Sequence, residues 1–155
     1  MPEIVSNVID VYAFRRNGTQ VEFLLLKRSQ GRRLAKTWQA VHGRIEPGET
    51  AVQAALRELK EETALRPSGF WQLEFVNTFY LAAEDALLMC PCFAAEIDPA
   101  TEIVLSDEHT AFRWEPSARA QEGYMWPGQR HAVHEIMAEI ITPGLAEPHM
   151  RIALE

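Results

Sequence analysis

Residues 43–65 read GRIEPGETAVQAALRELKEETAL, and this stretch decides how the rest of the chain is arranged. Glu46-Pro47-Gly48 has strong turn character. Thr50 with Gln53 three residues on fits a capping box, which satisfies free N–H groups in a helix's first turn. Val52, Ala55, Leu56 and Leu59 then follow the i, i+3, i+4, i+7 spacing of a buried stripe. Pro67 disfavours helical geometry at Arg66, so the helix is expected to stop between Thr63 and Leu65. On a wheel of about 100° per residue, Glu58, Glu61 and Glu62 fall together on the side turned away from that stripe. Carboxylates at i, i+3 and i+4 repel one another. Such a face is ordinarily just solvated, but it also suits a hard divalent cation, and Mg²⁺ is often shared between one or two carboxylates and substrate phosphates.

Outward from the helix, strands dominate. Ile4 to Arg15 and Val21 to Lys27 are β-rich and flank Asn17-Gly18, the signal of a tight hairpin. Arg28 to Thr37 reads as a basic loop, and Trp38 to His42 as a short strand. Beyond the helix, Trp71 to Leu81 and Ala86 to Ile97 read as strands around an acidic turn at Glu84-Asp85, with Pro91 demoting part of the second to an edge or bulge. Ala111 to Glu115 is a further short strand, Pro116 to Glu122 is weakly helical, and Arg130 to Ile141 is helical up to Pro143-Gly144. Strands and helices alternate unevenly, which favours a mixed α/β sandwich over a regular parallel array.

The 155 residues suit one domain, 1–155. With 47% hydrophobic and 24% charged residues, the composition is globular. Fifteen Lys+Arg against 22 Asp+Glu give a net charge of −7, which argues against a broad electrostatic grip on nucleic acid. No apolar run approaches the length that spans a bilayer, and Met1 to Val11 does not read as a signal peptide. Cys90 and Cys92, the two cysteines, are expected to point to opposite faces of a strand and not to bridge, which suggests a reduced, cytoplasmic protein. Cys90-Pro91-Cys92 is too short for a zinc site by itself, and no second Cys or His pair has matching spacing.

Gly43, Glu49, Arg57, Glu58, Leu59, Glu61, Glu62 and Leu65 stand in the order Gly-x5-Glu-x7-Arg-Glu-Leu-x-Glu-Glu-x-x-Leu. This resembles the signature of the Nudix hydrolases, with eight of its nine specified positions met. Chance would give such a match in fewer than about one chain in ten thousand. The ninth position departs: the family's glycine is Ala64 here. The expected helix C-terminal turn then puts alanine at positive φ, at a cost of roughly 1 kcal/mol or more.

The resemblance implies a Nudix-type α/β/α sandwich with a mixed sheet, and a box at 43–65. It also implies metal-assisted attack of water on a phosphorus within a diphosphate, with Mg²⁺ as cofactor or Mn²⁺ in its place. Glu58, Glu62 and Glu61 map to metal ligands, together with the backbone carbonyl of Gly43. Arg57 and Glu49 match the pair that orients those carboxylates. Glu61 and Glu108 are the candidate catalytic carboxylates, Glu108 being preferred as general base or additional ligand. Arg28, Arg33 and Lys36 are the basic candidates for phosphate contacts, and Tyr80 is a candidate for the substrate's ring.

Trp38-Gln39-Ala40-Val41 and Leu105-Ser106-Asp107-Glu108-His109 to Trp114 resemble the subgroup acting on nucleoside or pterin triphosphates. The expected activity is therefore release of pyrophosphate from a small-molecule nucleotide or pterin phosphate. The alternatives are hydrolysis of dinucleoside polyphosphates or ADP-ribose-like diphosphates, and a catalytically silent nucleotide-binding module. No membrane and no stable nucleic-acid partner are expected, and the sequence leaves the oligomeric state open.

Overall fold

The computed structural model describes residues 1–155. One eight-stranded mixed sheet organises the chain. Its strands are β1 (Glu3–Val5), β2 (Val8–Asn17), β3 (Gln20–Arg28), β4 (Trp38–Gln39), β5 (Val41–Arg44), β6 (Gly69–Leu81), β7 (Ala86–Glu96) and β8 (His109–Pro116). β2 runs through the middle. It pairs parallel with β7 along one edge; along the other it is antiparallel to β5 through Val8–Val11 and to β3 through Phe14–Asn17. The expected first strand is thus two, broken at Ser6-Asn7, and the expected strand at Trp38 is interrupted at Ala40. The Asn17-Gly18 hairpin forms, with Gly18 at φ +64 supplying the left-handed turn.

Helix α1 (Ala51–Thr63) carries the capping box as read: the Gln53 amide N–H donates to Thr50 Oγ1 at 3.2 Å, and the Thr50 amide to Gln53 Oε1 at 2.9 Å. It ends at Ala64, held at φ +61, where the amide closes onto the Lys60 carbonyl at 2.8 Å. Ala54, Ala55 and Leu59 pack with Ile9, Val11, Ala13, Leu24, Leu26 and Val41 on one face of the sheet. The opposite face is covered by α2 (Ser117–Gly123), α3 (Pro127–Glu135), a π-helical turn over Ile136–Ile141 and α4 (Glu147–Met150), which enclose Tyr12, Phe14, Phe23, Trp71, Tyr124 and Ile136. Strict alternation along β2 divides the two cores, with even positions facing α3 and odd positions facing α1. The architecture is the expected α/β/α sandwich. No helix is long and apolar enough to cross a membrane.

Pro91 lies where the ladder is interrupted on both sides, between the β1 and β2 registers and beside a bulge in β6 at Gln72–Val76. The missing N–H therefore costs little. The reading of the cysteines is corrected: positions two apart in a strand share a face, and Cys90 and Cys92 are buried free thiols on the side away from α1.

Candidate active site

The box folds into a turn and a helix that concentrate acid beside the end of β5. Arg57 is the hub. Its Nε and Nη2 donate to the two oxygens of Glu49 at 2.8 and 2.9 Å, its Nη1 donates to Glu58 at 2.8 Å and Glu61 at 3.2 Å, and its Nη2 also donates to the Arg44 carbonyl at 2.8 Å. Fork-shaped donors of this kind hold carboxylates in fixed orientations. The bonds from Arg57, then that from the Glu46 amide, pull the Glu49 carboxyl down to about 2.

Glu58 and Glu62 sit differently. Burial raises Glu58 above the usual carboxylate range despite Arg57, with Glu61 and Glu108 adding repulsion. Glu62 is 2% exposed, and neither carboxylate oxygen has a hydrogen-bond partner. Burial, then the neighbouring charges of Glu58 and Glu108, push it up to about 9. The helical wheel put Glu62 on the open side of α1. The structure covers it, because residues 98–108 close over the last turn: the amides of Val104 and Ser106 donate to the carbonyls of Thr63 and Glu62 at 3.0 and 3.2 Å. Glu61, by contrast, remains 59% exposed.

The same loop delivers Glu108 and His109. His109 Nδ1 is buried and unpartnered, 4.0 Å from Glu62 Oε2. Burial, then Arg28 and Arg32, depress its imidazole to about 4, so it is neutral at pH 7. Glu108 is partly exposed, with Arg32 Nη1 at 3.7 Å. Ser29 ties the basic loop to this one: its amide donates to the Glu108 carbonyl at 2.9 Å and its hydroxyl to the Asp107 carbonyl at 2.7 Å.

Of the basic candidates, Arg28 faces the carboxylates, with its charge opposing the rise at Glu62 and its Nε buried without a partner. Arg33 and Lys36 are exposed and form no ion pair with the cluster. Arg32 takes their place, bridging Asp107 and Glu108 at 3.7 Å each. The sequence had no signal to separate these neighbours, because the loop winds through left-handed residues at Leu34 and Lys36 that no periodicity announces. Tyr80 is engaged elsewhere, its hydroxyl donating to Asp85 at 3.0 Å in the β6–β7 turn. Nothing in the spacing of His109 marks it as the neighbour of Glu62, since the two are brought together only by the loop that closes over α1.

Two features of the chain's own atoms fit a hard cation here. A buried carboxylate with both oxygens unpartnered is costly unless a positive charge joins it. Gly43 lies so close to Glu58 that a methyl group at this position would run into the carboxyl carbon, which leaves the strand's backbone open to whatever the carboxylates hold. The donor set of the buried Glu62 carboxylate, the half-buried Glu58, the exposed Glu61 and a carbonyl is all oxygen, the set Mg²⁺ and Mn²⁺ prefer.

The NUDIX domain profile matches residues 6–136. A Myxococcus xanthus protein named octanoyltransferase is 33% identical over 132 residues, covering 84% of this chain and 36% of that protein. The mouse (Mus musculus) bis(5'-nucleosyl)-tetraphosphatase [asymmetrical] is 34% identical over 105 residues, covering 64% of this chain and 67% of that protein. The chain thus spans about a third of one of these relatives and two thirds of the other. Among solved structures, a C. elegans Ap4A hydrolase binary complex superposes with a TM-score of 0.73 at 23% identity, covering 89% of this chain and 98% of that one. The E. coli dihydroneopterin triphosphate pyrophosphohydrolase superposes with a TM-score of 0.68 at 24% identity, covering 87% and 94%.

Proposed function

The chain belongs to the NUDIX domain family, and on that premise we propose that it is a Mg²⁺-dependent pyrophosphohydrolase that converts a nucleoside or pterin triphosphate to the monophosphate and pyrophosphate. The observation that carries the reading is Glu62, a buried carboxylate with two free oxygens facing Glu58 and Glu108. Glu58, Glu62, Glu61 and the Gly43 carbonyl are the groups that would hold the metal. When bound, a divalent cation neutralises the substrate's phosphates and makes a nearby water more acidic.

The chain's own residues supply the rest. Arg57, anchored by Glu49 and the Arg44 carbonyl, keeps Glu58 and Glu61 aimed and is a positioning residue. Glu108 accepts the proton of the attacking water as the new P–O bond forms. The anhydride P–O bond breaks, and pyrophosphate leaves with its electron pair. Arg28 and Arg32 offset the charge of the phosphate chain. Neutral His109 packs beside Glu62 without adding a competing positive charge. The triphosphate assignment is supported by the Trp38–Val41 and Leu105–Trp114 stretches.

A second reading, hydrolysis of dinucleoside polyphosphates, is favoured by the 34% identity to the mouse tetraphosphatase. One panel separates them: nucleoside triphosphates, dihydroneopterin triphosphate, diadenosine tetraphosphate and ADP-ribose, each with Mg²⁺ and with excess EDTA. Pyrophosphate from the triphosphates, lost with EDTA and in Glu62→Gln, is the expected result. Turnover confined to the dinucleotide transfers the assignment to the second reading. Tight nucleotide binding with no turnover of any substrate would overturn both.

A further inference from the structure

On the face of the sheet opposite α1, we propose a second cation site, formed by Asp10, His42 and Cys90 and suited to Zn²⁺. It goes beyond the hydrolase reading and holds whatever the substrate. The donors come from three adjacent strands, β5, β2 and β7. Asp10 pairs across the backbone with His42 on one side and Cys92 on the other, and Cys90 is two residues along on the same face. One ligand atom from each of Asp10, His42 and Cys90 lies within 4.8 Å of the others.

The carboxylate is nearly enclosed, at 4% exposure, and its ion-pair partner is His42, not an Arg or Lys. Its partners are His42 Nδ1 at 2.7 Å and the Tyr12 hydroxyl, which donates at a long 3.5 Å. A buried carboxylate without a permanent cation is the group a metal ion satisfies best. One oxygen, one imidazole nitrogen and one sulfur form a borderline-soft set that suits Zn²⁺ and not Mg²⁺. In a tetrahedral zinc site such donors stand roughly 3.3 to 3.6 Å apart, so binding parts the Asp10–His42 pair slightly and draws Cys90 inward. The Cys90 thiol gives its proton to solvent as its sulfur becomes a ligand, and the proton shared by His42 Nδ1 and Asp10 leaves the pair for the other ring nitrogen or for solvent as both atoms turn to the cation. His42, with 42% of its side chain exposed, is the way in, and a water fills the fourth position. No sequence spacing reveals the set, because three strands far apart in the chain assemble it.

The test loads the metal-free protein with Co²⁺ in excess Mg²⁺, so that the all-oxygen cluster is occupied by magnesium. One equivalent of Co²⁺ with thiolate-to-cobalt absorption is expected, displaced by one equivalent of Zn²⁺. The band should vanish in Cys90→Ser and persist in Cys92→Ser and in Glu62→Gln. Zinc affinity should fall at least about tenfold in Cys90→Ser and in His42→Ala. Because His42 is half-exposed, its replacement tests the site even if the cysteine variant does not fold. No thiolate band, a band that survives Cys90→Ser, or one lost in Cys92→Ser or Glu62→Gln would each overturn the assignment.

Discussion

Glu62, which is buried, and Arg57, which is half-buried, show what single residues contribute. A carboxyl that holds its proton more tightly folded than unfolded lends stability at low pH and loses it as the pH rises, here between about 4.5 and about 9. In EDTA, the wild type should therefore lose stability relative to Glu62→Gln across that window. The limiting slope is about 1.4 kcal/mol per pH unit, that of a single proton. Urea denaturation at several pH values checks this, and parallel curves for the two proteins would sink it. Mg²⁺ needs the ionised form, so its affinity should rise over the same range. Arg57 makes its case through geometry. Lysine keeps the charge but cannot serve Glu49, Glu58, Glu61 and the Arg44 carbonyl at once, so Arg57→Lys should lower activity about 10–100-fold. If turnover stays within about twofold, Arg57 is not positioning these carboxylates. The Arg57–Glu49 pairing was legible through the resemblance of the box to the family signature, which implies that pair. The burial of Glu62 was not, since it depends on residues 98–108 folding back across a gap that no short-range pattern encodes.

At the scale of elements, α1 is the part of the molecule whose local signals and tertiary role agree. Its start and end stand where capping chemistry and Pro67 put them, but its buried stripe is turned from the expected one: Ala54, Ala55 and Leu59 are buried, while Val52 and Leu56 are only partly covered at its margin. Thr50→Ala removes the cap and should cost about 1 kcal/mol. Ala64 is the one local conflict, an alanine held at φ +61 where glycine carries no Cβ penalty. Ala64→Gly should raise stability by about 0.5–1 kcal/mol with turnover unchanged, the relief of φ strain exceeding the added chain entropy. A lower urea midpoint in that variant would show that the turn is not strained. The elements that misled were those set by tertiary pairing. Ala40 interrupts its strand where the ladder passes from β3 to β2, and Ser6-Asn7 splits β1 from β2 where β7 changes partner. The helix starting at Pro127 also begins earlier than its composition suggested, with Pro127 in its first turn and the Gln129 side chain accepting from the Trp126 amide at 3.2 Å.

For the whole molecule, the consequence of a sheet with two covered faces is division of labour. Leu59 belongs to the core beneath α1 and Ile136 to the core beneath α3, and both are fully buried. The sheet separates the two clusters, so a cavity on one side should not be felt on the other. Leu59→Ala is expected to cost about 2–5 kcal/mol and Ile136→Val about 0.5–1.5 kcal/mol. The double variant should equal their sum within about 0.5 kcal/mol, as for distant sites without shared partners. Activity should divide in the same way. Leu59 sits next to Glu58 and one turn from Glu62, so its loss lets the acidic face shift and should weaken metal-dependent turnover. Ile136→Val leaves that face untouched and should turn over like wild type at any temperature where both are folded. A coupling energy above about 1 kcal/mol in the double-mutant cycle would mean that the two layers move together. The carboxylate cluster would then have to be treated as a property of the whole sandwich and not of α1 and the loop that closes over it.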